Sequence, residues 1–255
     1  MSDRNQWLQQ LHGDAARPAP VALVCFPHAG GAASYFFRFG RSAPAWLDVW
    51  AVQYPGRQDR RTEPMIDDEP ELTEHIFRAL TPWRGGALAF FGHSMGAVLA
   101  FETARRLGKA TGTRVVRLFA SGRRAPSRYQ PGTVHLSGDQ ALLAELRSLG
   151  GTNAMVLEDP ELRDMILPAV RNDYRLIERY RGSPAARVDC PITVLVGDDD
   201  PMTSVEEAEA WATHTTSTAE TILFPGGHFY LENSSARLAK EVFSRLEPYA
   251  AASTG

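Results

Sequence analysis

The chain has 255 residues with 44% hydrophobic and 22% charged side chains, the make-up of an ordinary soluble globular protein with a sizeable core. A net charge of −3 gives no ground for nucleic acid or an anionic membrane as the partner. No apolar run reaches eighteen residues and the start Met1-Ser2-Asp3-Arg4 is polar, so neither a membrane span nor a signal peptide is read, and a cytoplasmic protein is expected.

Residues 1–19 carry no strong periodicity and read as a short helix or loose arm ending in Arg17-Pro18-Ala19-Pro20. The continuous apolar run 21–26, closed by Pro27, predicts a strand buried on both faces. After the small-residue loop Pro27-His28-Ala29-Gly30-Gly31 comes helical potential over 32–39, then a strand over 49–54 stopped by Pro55-Gly56. A charged loop precedes a helix over 71–80; strands at 88–91 and 115–121 flank a helix over 95–107. From 122 to 188 no strand pattern occurs, but helices are read at 138–149 and 160–180 with a weaker turn between them. The alternation resumes with a strand at 192–196, a helix over 204–214, a strand at 220–224 and a helix over 234–246.

Strands alternating with helices predict an α/β fold, a mostly parallel central sheet with helices on both faces. The chain then reads as a single domain, 1–255, with a helical lid insertion at about 123–187 between two strands. Cys25 and Cys190 both fall in strand-like runs and read as buried free thiols rather than a disulfide framework. Only Lys109 and Lys240 among the 27 basic residues are lysines, an arginine excess that reads as genomic composition bias.

The chemistry centres on Gly92-His93-Ser94-Met95-Gly96, where an apolar strand ends and an apolar helical pattern starts at once. In that setting G-x-S-x-G is a nucleophile elbow: the turn lifts a serine clear of the sheet, and strand and helix come so close that only glycine fits two residues to either side. A serine needs a base, and the base needs a carboxylate. Of seven histidines, His12 lies in the N-terminal arm, His75 and His214 in surface helices, and His135 in the loop opening the insertion. His93 points the wrong way from an elbow, while His28 and His228 follow strand ends. His228, in the glycine-rich loop after the last strand, is the expected base. The acid should follow a strand between serine and histidine, which leaves Asp198, Asp199 and Asp200 open, with at least one or two of them solvated. The N–H groups of Met95 and of Ala29 are the expected oxyanion donors.

Taken together, Phe26-Pro-His-Ala-Gly-Gly31, Val52-Gln-Tyr-Pro-Gly-Arg57, Phe91-Gly-His-Ser-Met-Gly-Ala97, Leu149-Gly-Gly-Thr-Asn153, Pro160-Glu-Leu162, Gly197 to Asp200 and Gly226-Gly-His-Phe229 resemble the type II thioesterases of polyketide and nonribosomal peptide biosynthesis, within the α/β-hydrolase superfamily. The resemblance implies an α/β-hydrolase fold and hydrolysis of acyl groups from the phosphopantetheine arms of acyl or peptidyl carrier proteins, clearing stalled units from an assembly line. Its G-x-x-D pattern makes Asp200 the triad acid, and it also supports Ala29 and Met95 as oxyanion donors. It makes the insertion a flexible lid over an acyl chamber, and Asn153 departs from it at a position where proline is more usual. No metal or bound cofactor is expected. Substrate contacts are expected from His28 and from the insertion residues Met155, Leu157, Met165 and Ile166, for which ordinary packing is an equal alternative. Arg123, Arg124 and Arg128 are placed to meet an acidic carrier protein, although a solvated surface run is the preferred reading. A serine acyltransferase, a general carboxylesterase and a non-catalytic member of the same fold are the alternatives.

Overall fold

A computed structural model describes residues 4–14, 16–83, 86–111, 113–150 and 159–252. Among the described residues a seven-stranded sheet runs in the order β1-β3-β2-β4-β5-β6-β7. Its strands are β1 (Leu8–His12), β2 (Val21–Phe26), β3 (Leu47–Val52), β4 (Ala87–His93), β5 (Val115–Ser121), β6 (Ile192–Gly197) and β7 (Ala219–Phe224). All neighbours pair in parallel except β1, which runs antiparallel to β3 with Leu8 opposite Val52. Where a short helix or loose arm was expected, the N-terminus holds the short helix α1 (Arg4–Trp7) and then this edge strand, and a second short helix, α2 (Phe37–Arg41), follows β2. Its sequence Leu-Gln-Gln-Leu-His is mostly polar and only half-buried, as befits an edge that must not attract other strands.

The central strands are apolar on both faces because helices cover both. Ala22, Val24, Phe26, Leu88 and Phe90 face one core with helices α3 (Glu69–Leu80) and α4 (Met95–Thr111). Val21, Leu23, Cys25, Ala89 and Phe91 face the other, which the final helix (Ser235–Ala252) covers. Cys25 and Cys190 are buried and free. Helix starts follow local chemistry: Asp68 caps α3 by accepting Glu71 N–H, and Ser204 and Glu207 form a reciprocal box at the short helix Val205–Glu209.

Between β5 and β6 the described residues hold a short 3₁₀ helix (Val134–Leu136) and two α-helices, α5 (Asp139–Leu149) and α6 (Pro160–Arg179). Asp159 caps α6 by accepting Glu161 and Leu162 N–H, with Pro160 in the first turn, and Gly150 closes α5 in the left-handed region. Leu142, Leu143 and Leu146 of α5 pack on Leu167, Val170 and Tyr174 of α6, and Ala29 of the β2 loop joins that cluster. The insertion therefore sits against the loop that follows β2 rather than away from it. The weaker turn expected between its helices falls at 151–158, outside the described residues. No described helix is long and apolar enough to cross a membrane.

Candidate active site

Ser94 stands at the end of β4 with φ +55°, one of two non-glycine residues in the left-handed region among those described. Such a conformation is held only where its surroundings fix it. Here Ser94 N–H donates to Ser121 O at 2.8 Å, and α4 starts at the next residue. The flanking glycines are required sterically: a Cβ on Gly92 would lie 2.2 Å from Gly96 O, and one on Gly96 would lie 2.0 Å from Phe26 O. Ser94 is half-buried while the residues around it are buried, so the turn delivers its hydroxyl to the accessible side.

His228 follows β7, 3% exposed, and its Nδ1 lies 2.9 Å and 3.0 Å from the two carboxylate oxygens of Asp200. A carboxylate only accepts, so the imidazole proton sits on Nδ1 and Nε2 keeps a lone pair. The three adjacent aspartates are now distinguished. Asp198 and Asp199 are exposed, and the Asp200 side chain is fully buried. Asp200 also accepts Met202 N–H at 2.8 Å, and Asp198 pins the loop that carries His228 by accepting Gly226 N–H at 2.9 Å. Gly197 lets these loops meet: a Cβ there would lie 2.2 Å from Gly226 O. No hydrogen bond joins Ser94 Oγ to His228 among the described residues. Hydrogen bonds between a nucleophile and its base are often long or poorly aligned in enzymes without substrate.

Beneath His228 lies a polar floor that the sequence did not disclose. His93 is fully buried, its Nδ1 2.9 Å from Ser121 Oγ, which is 2.7 Å from the Tyr230 hydroxyl. The His93 ring centre is 5.1 Å from that of His228. Burial, and then the neighbouring His228, hold His93 well below the usual histidine pKa, so it stays neutral. His28 nests against Tyr35 and Phe229, with ring centres 4.6 Å and 4.8 Å away, and burial pushes its pKa down to about 3. His28 is thus a neutral ring beside the site.

The loop after β2 is held from two sides. Tyr54 OH donates to Pro27 O at 3.1 Å and Ala33 N–H to Gln53 at 2.9 Å, both from the end of β3. From α6, Asp173 accepts Gly30 N–H at 2.7 Å and two bonds from Arg57 at 2.6 Å and 3.0 Å. Arg57 and Asp173 are 8% and 1% exposed, and Arg57 also donates to Gly31 O and Pro55 O. Gly30 and Gly31 N–H are therefore used, whereas Ala29 N–H has no acceptor among the described residues. Met95, as the first residue of α4, has no acceptor one turn back inside its own helix. Two free N–H groups thus belong to the elements expected to carry the oxyanion donors. Asp173 went unread in the sequence, yet its signal was there: it lies on the apolar face of α6 with Val170, Tyr174 and Ile177, where a carboxylate needs a buried partner.

Other expected contacts fare differently. Met165 is 64% exposed and so does not line an interior chamber, because it falls on the outer face of α6. Ile166 is half-buried against the cluster that includes Ala29, and Met155 and Leu157 lie outside the described residues. His214, placed on a surface helix by its pattern, is fully buried, with Nδ1 2.8 Å from Ala186 O and Nε2 2.9 Å from Ser127 Oγ. The helix expected there tightens into a 3₁₀ turn after Glu209, which turns this ring inward. Nor are the arginines a solvated run. Arg124 donates to Met202 O and meets Glu207 at 3.5 Å, Arg123 is half-buried, and only Arg128 is exposed. No group of three or more His, Cys, Asp or Glu among the described residues is placed to hold a metal ion.

A family model described as a thioesterase domain matches residues 21–249. The thioesterase PikA5 of Streptomyces venezuelae is 45% identical over 248 residues, covering 96% of this chain and 86% of that one. Among solved structures, the type II thioesterase BorB from the borrelidin biosynthetic cluster superposes with a TM-score of 0.86 at 45% identity, over 94% of this chain and 97% of that one. YbtT, a type II thioesterase from the yersiniabactin NRPS/PKS biosynthetic pathway, gives 0.84 at 27% identity over 96% and 99%.

Proposed function

The chain belongs to the thioesterase family, and on that premise we propose that it hydrolyses acyl thioesters from the phosphopantetheine arms of acyl or peptidyl carrier proteins. In this reading it removes aberrant or stalled units from a polyketide or nonribosomal peptide assembly line. The observation that carries it is the chain-length match, at 45% identity, to a type II thioesterase of a biosynthetic cluster.

The geometry supports a two-step mechanism. Ser94 Oγ attacks the thioester carbonyl while His228 Nε2 takes its proton, and Asp200 holds the ring and stabilises the imidazolium. Charge collects on the carbonyl oxygen, where the N–H groups of Met95 and Ala29 meet it; each such donor contributes roughly 10²–10³ in rate. The carbon–sulfur bond breaks, and His228 returns the proton to the leaving thiolate. Water then enters, gives a proton to the same nitrogen and attacks the acyl-serine, and the acid departs as Ser94 recovers its proton. The neutral rings of His93 and His28 add no competing charge beside the imidazolium.

The test is product analysis across a panel of acyl groups loaded on carrier proteins. Free acid should be the product, released far faster from carrier proteins than from short aryl esters. Accumulation of an acyl-acceptor adduct would make the enzyme a transferase, and a strong preference for aryl esters would make it a general esterase.

A further inference from the structure

Three buried polar side chains take no step in this chemistry, yet they stand beside it. His93 closes β4, Ser121 closes β5, and Tyr230 opens the short helix Tyr230–Asn233 that follows His228. His93 and Ser121 are fully buried and Tyr230 is 1% exposed, a setting in which polar groups are costly to place. They are joined in a chain, Tyr230 OH to Ser121 Oγ at 2.7 Å and Ser121 Oγ to His93 Nδ1 at 2.9 Å. The packing around them is aromatic: Phe224 stacks on Tyr230 with ring centres 4.6 Å apart, and Phe229 lies edge-on to His93 at 5.2 Å. Apolar side chains would fill the same space without that desolvation, so the polar chain calls for a reason beyond packing.

The sheet order supplies one. Strand β4, which leads into Ser94, and β7, which precedes His228, are separated by β5 and β6. At about 4.8 Å between strands, their ends lie roughly 14 Å apart. The loop after β7 must therefore reach back across two strands to bring an imidazole near the nucleophile. Asp198 and Asp200, after β6, hold the first part of that loop by accepting Gly226 N–H and binding His228 Nδ1. The Tyr230–Ser121 bond carries it one strand further, to β5, and the Ser121–His93 bond links β5 to β4. Each end of this chain is covalently close to a reacting group, since His93 adjoins Ser94 and Tyr230 lies two residues beyond His228. Its middle is tied to the elbow a second time, because Ser121 O accepts Ser94 N–H at 2.8 Å. His93 and His228 also close on Gly122, where a Cβ would lie 2.7 Å from His93 Cε1 and 3.5 Å from His228 Cε1.

We propose that Ser121 and Tyr230 are positioning residues for the reaction: with His93 they form a strut that holds the His228 imidazole at working reach of the Ser94 hydroxyl. Burial pushes the Tyr230 phenol above its usual range and His93 well below its own, so the strut stays neutral while the enzyme works. It acts on where the imidazole sits, while Asp200 fixes the tautomer. The assignment rests on the Ser94–His228 mechanism above and adds the parts that set the distance between the two.

The experiment measures kcat and KM across pH with butyryl-N-acetylcysteamine as substrate. Tyr230→Phe keeps the ring on Phe224 and removes the link to Ser121, whereas Ser121→Ala removes both links. Tyr230→Phe lowers kcat about tenfold, the scale of one neutral hydrogen bond. Ser121→Ala lowers it about 10²-fold, the cost of a displacement near 1 Å. In both, KM and the pH profile keep their wild-type form. Adding Tyr230→Phe to Ser121→Ala brings no further loss, because the strut is already broken. Tyr249→Phe is the control: its hydroxyl donates to Val116 O at 3.1 Å, near the opposite end of β5, so any loss is in melting temperature and not in kcat. An unchanged kcat in Tyr230→Phe overturns the proposal. So does a loss matched by Tyr249→Phe, a loss confined to KM, or a displaced pH profile with the plateau intact. If Ser121→Ala does not fold, Tyr230→Phe decides alone, since it removes one hydroxyl and no packing. Ser94→Ala separates the strut from the mechanism. Turnover lost there but unchanged in Tyr230→Phe removes the strut alone, and turnover retained there removes both.

Discussion

Removing the carboxylate of Asp173 is a demanding test of how the site is held. Asp173 is 1% exposed, binds Arg57 twice and accepts Gly30 N–H, so it ties α6 to the β2 loop and to the residues that follow β3. In Asp173→Ala the hydrogen bonds left to the Arg57 guanidinium are those to Gly31 O and Pro55 O, and Gly30 N–H is orphaned. Breaking a buried pair from one side costs about 3–5 kcal/mol, because a charge is left without compensation. For a domain of this size that is a fall in Tm of roughly 10 °C, and a large share of a typical stability of about 5–15 kcal/mol. Catalysis should suffer much less. Asp173 holds Gly30 rather than the free N–H of Ala29, so turnover by the folded fraction should fall far less than the ~10³-fold expected of a lost oxyanion donor. Urea unfolding and steady-state kinetics on the same preparation check both halves. The double variant Arg57→Met/Asp173→Leu should regain much of the stability, since apolar side chains replace a buried pair at little cost. A loss below about 1 kcal/mol in Asp173→Ala would refute the reasoning, as that is the scale of an exposed pair.

Three further outcomes follow from the same geometry. Asp200→Asn should lower kcat about 10⁴-fold with the fold intact, by favouring the wrong His228 tautomer, while Asp199→Asn, exposed, should stay near wild type; kinetics on both variants decide between adjacent aspartates. Gly96→Ala would set a Cβ 2.0 Å from Phe26 O, a backbone atom that cannot yield, so soluble expression or melting should show a loss of more than about 4 kcal/mol. Burial raises the Glu69 carboxyl from 4.5 to about 7 against the hydrogen bond from Thr73. The folded state therefore holds that proton after the unfolded chain has released it, and this stabilisation, complete below pH 4.5, is lost as pH rises to about 7. Urea midpoints across that window should fall less in Glu69→Gln than in wild type, and an identical fall would contradict the assignment.

Much of the architecture could be read from period and punctuation. The run 21–26 was legible as a doubly buried strand because it is apolar without a break, and the glycines around Ser94 because nothing else fits between β4, α4 and Phe26 O. What could not be read lay where a signal is weak or non-local. Strand β1 is polar and at an edge, so pairing with β3 rather than propensity places it. The spacing of Asp198, Asp199 and Asp200 is the same for any acid, and only the close approach of Gly197 to Gly226 and Gly227 decides which side chain is buried beneath His228. The inward turn of His214 depends on a helix tightening after Glu209. Arg57 and Asp173 are separated by 116 positions, and nothing local to either names the other.

The central claim is that Ser94 carries the acyl group between two thioester-hydrolysis steps. Rapid-quench mass spectrometry with an acyl carrier protein as substrate tests it most directly. The account predicts a transient acyl adduct on the peptide containing Ser94, decaying at the rate free acid appears, and neither adduct nor turnover in Ser94→Ala. Turnover retained by Ser94→Ala, or an adduct on another residue, would contradict it.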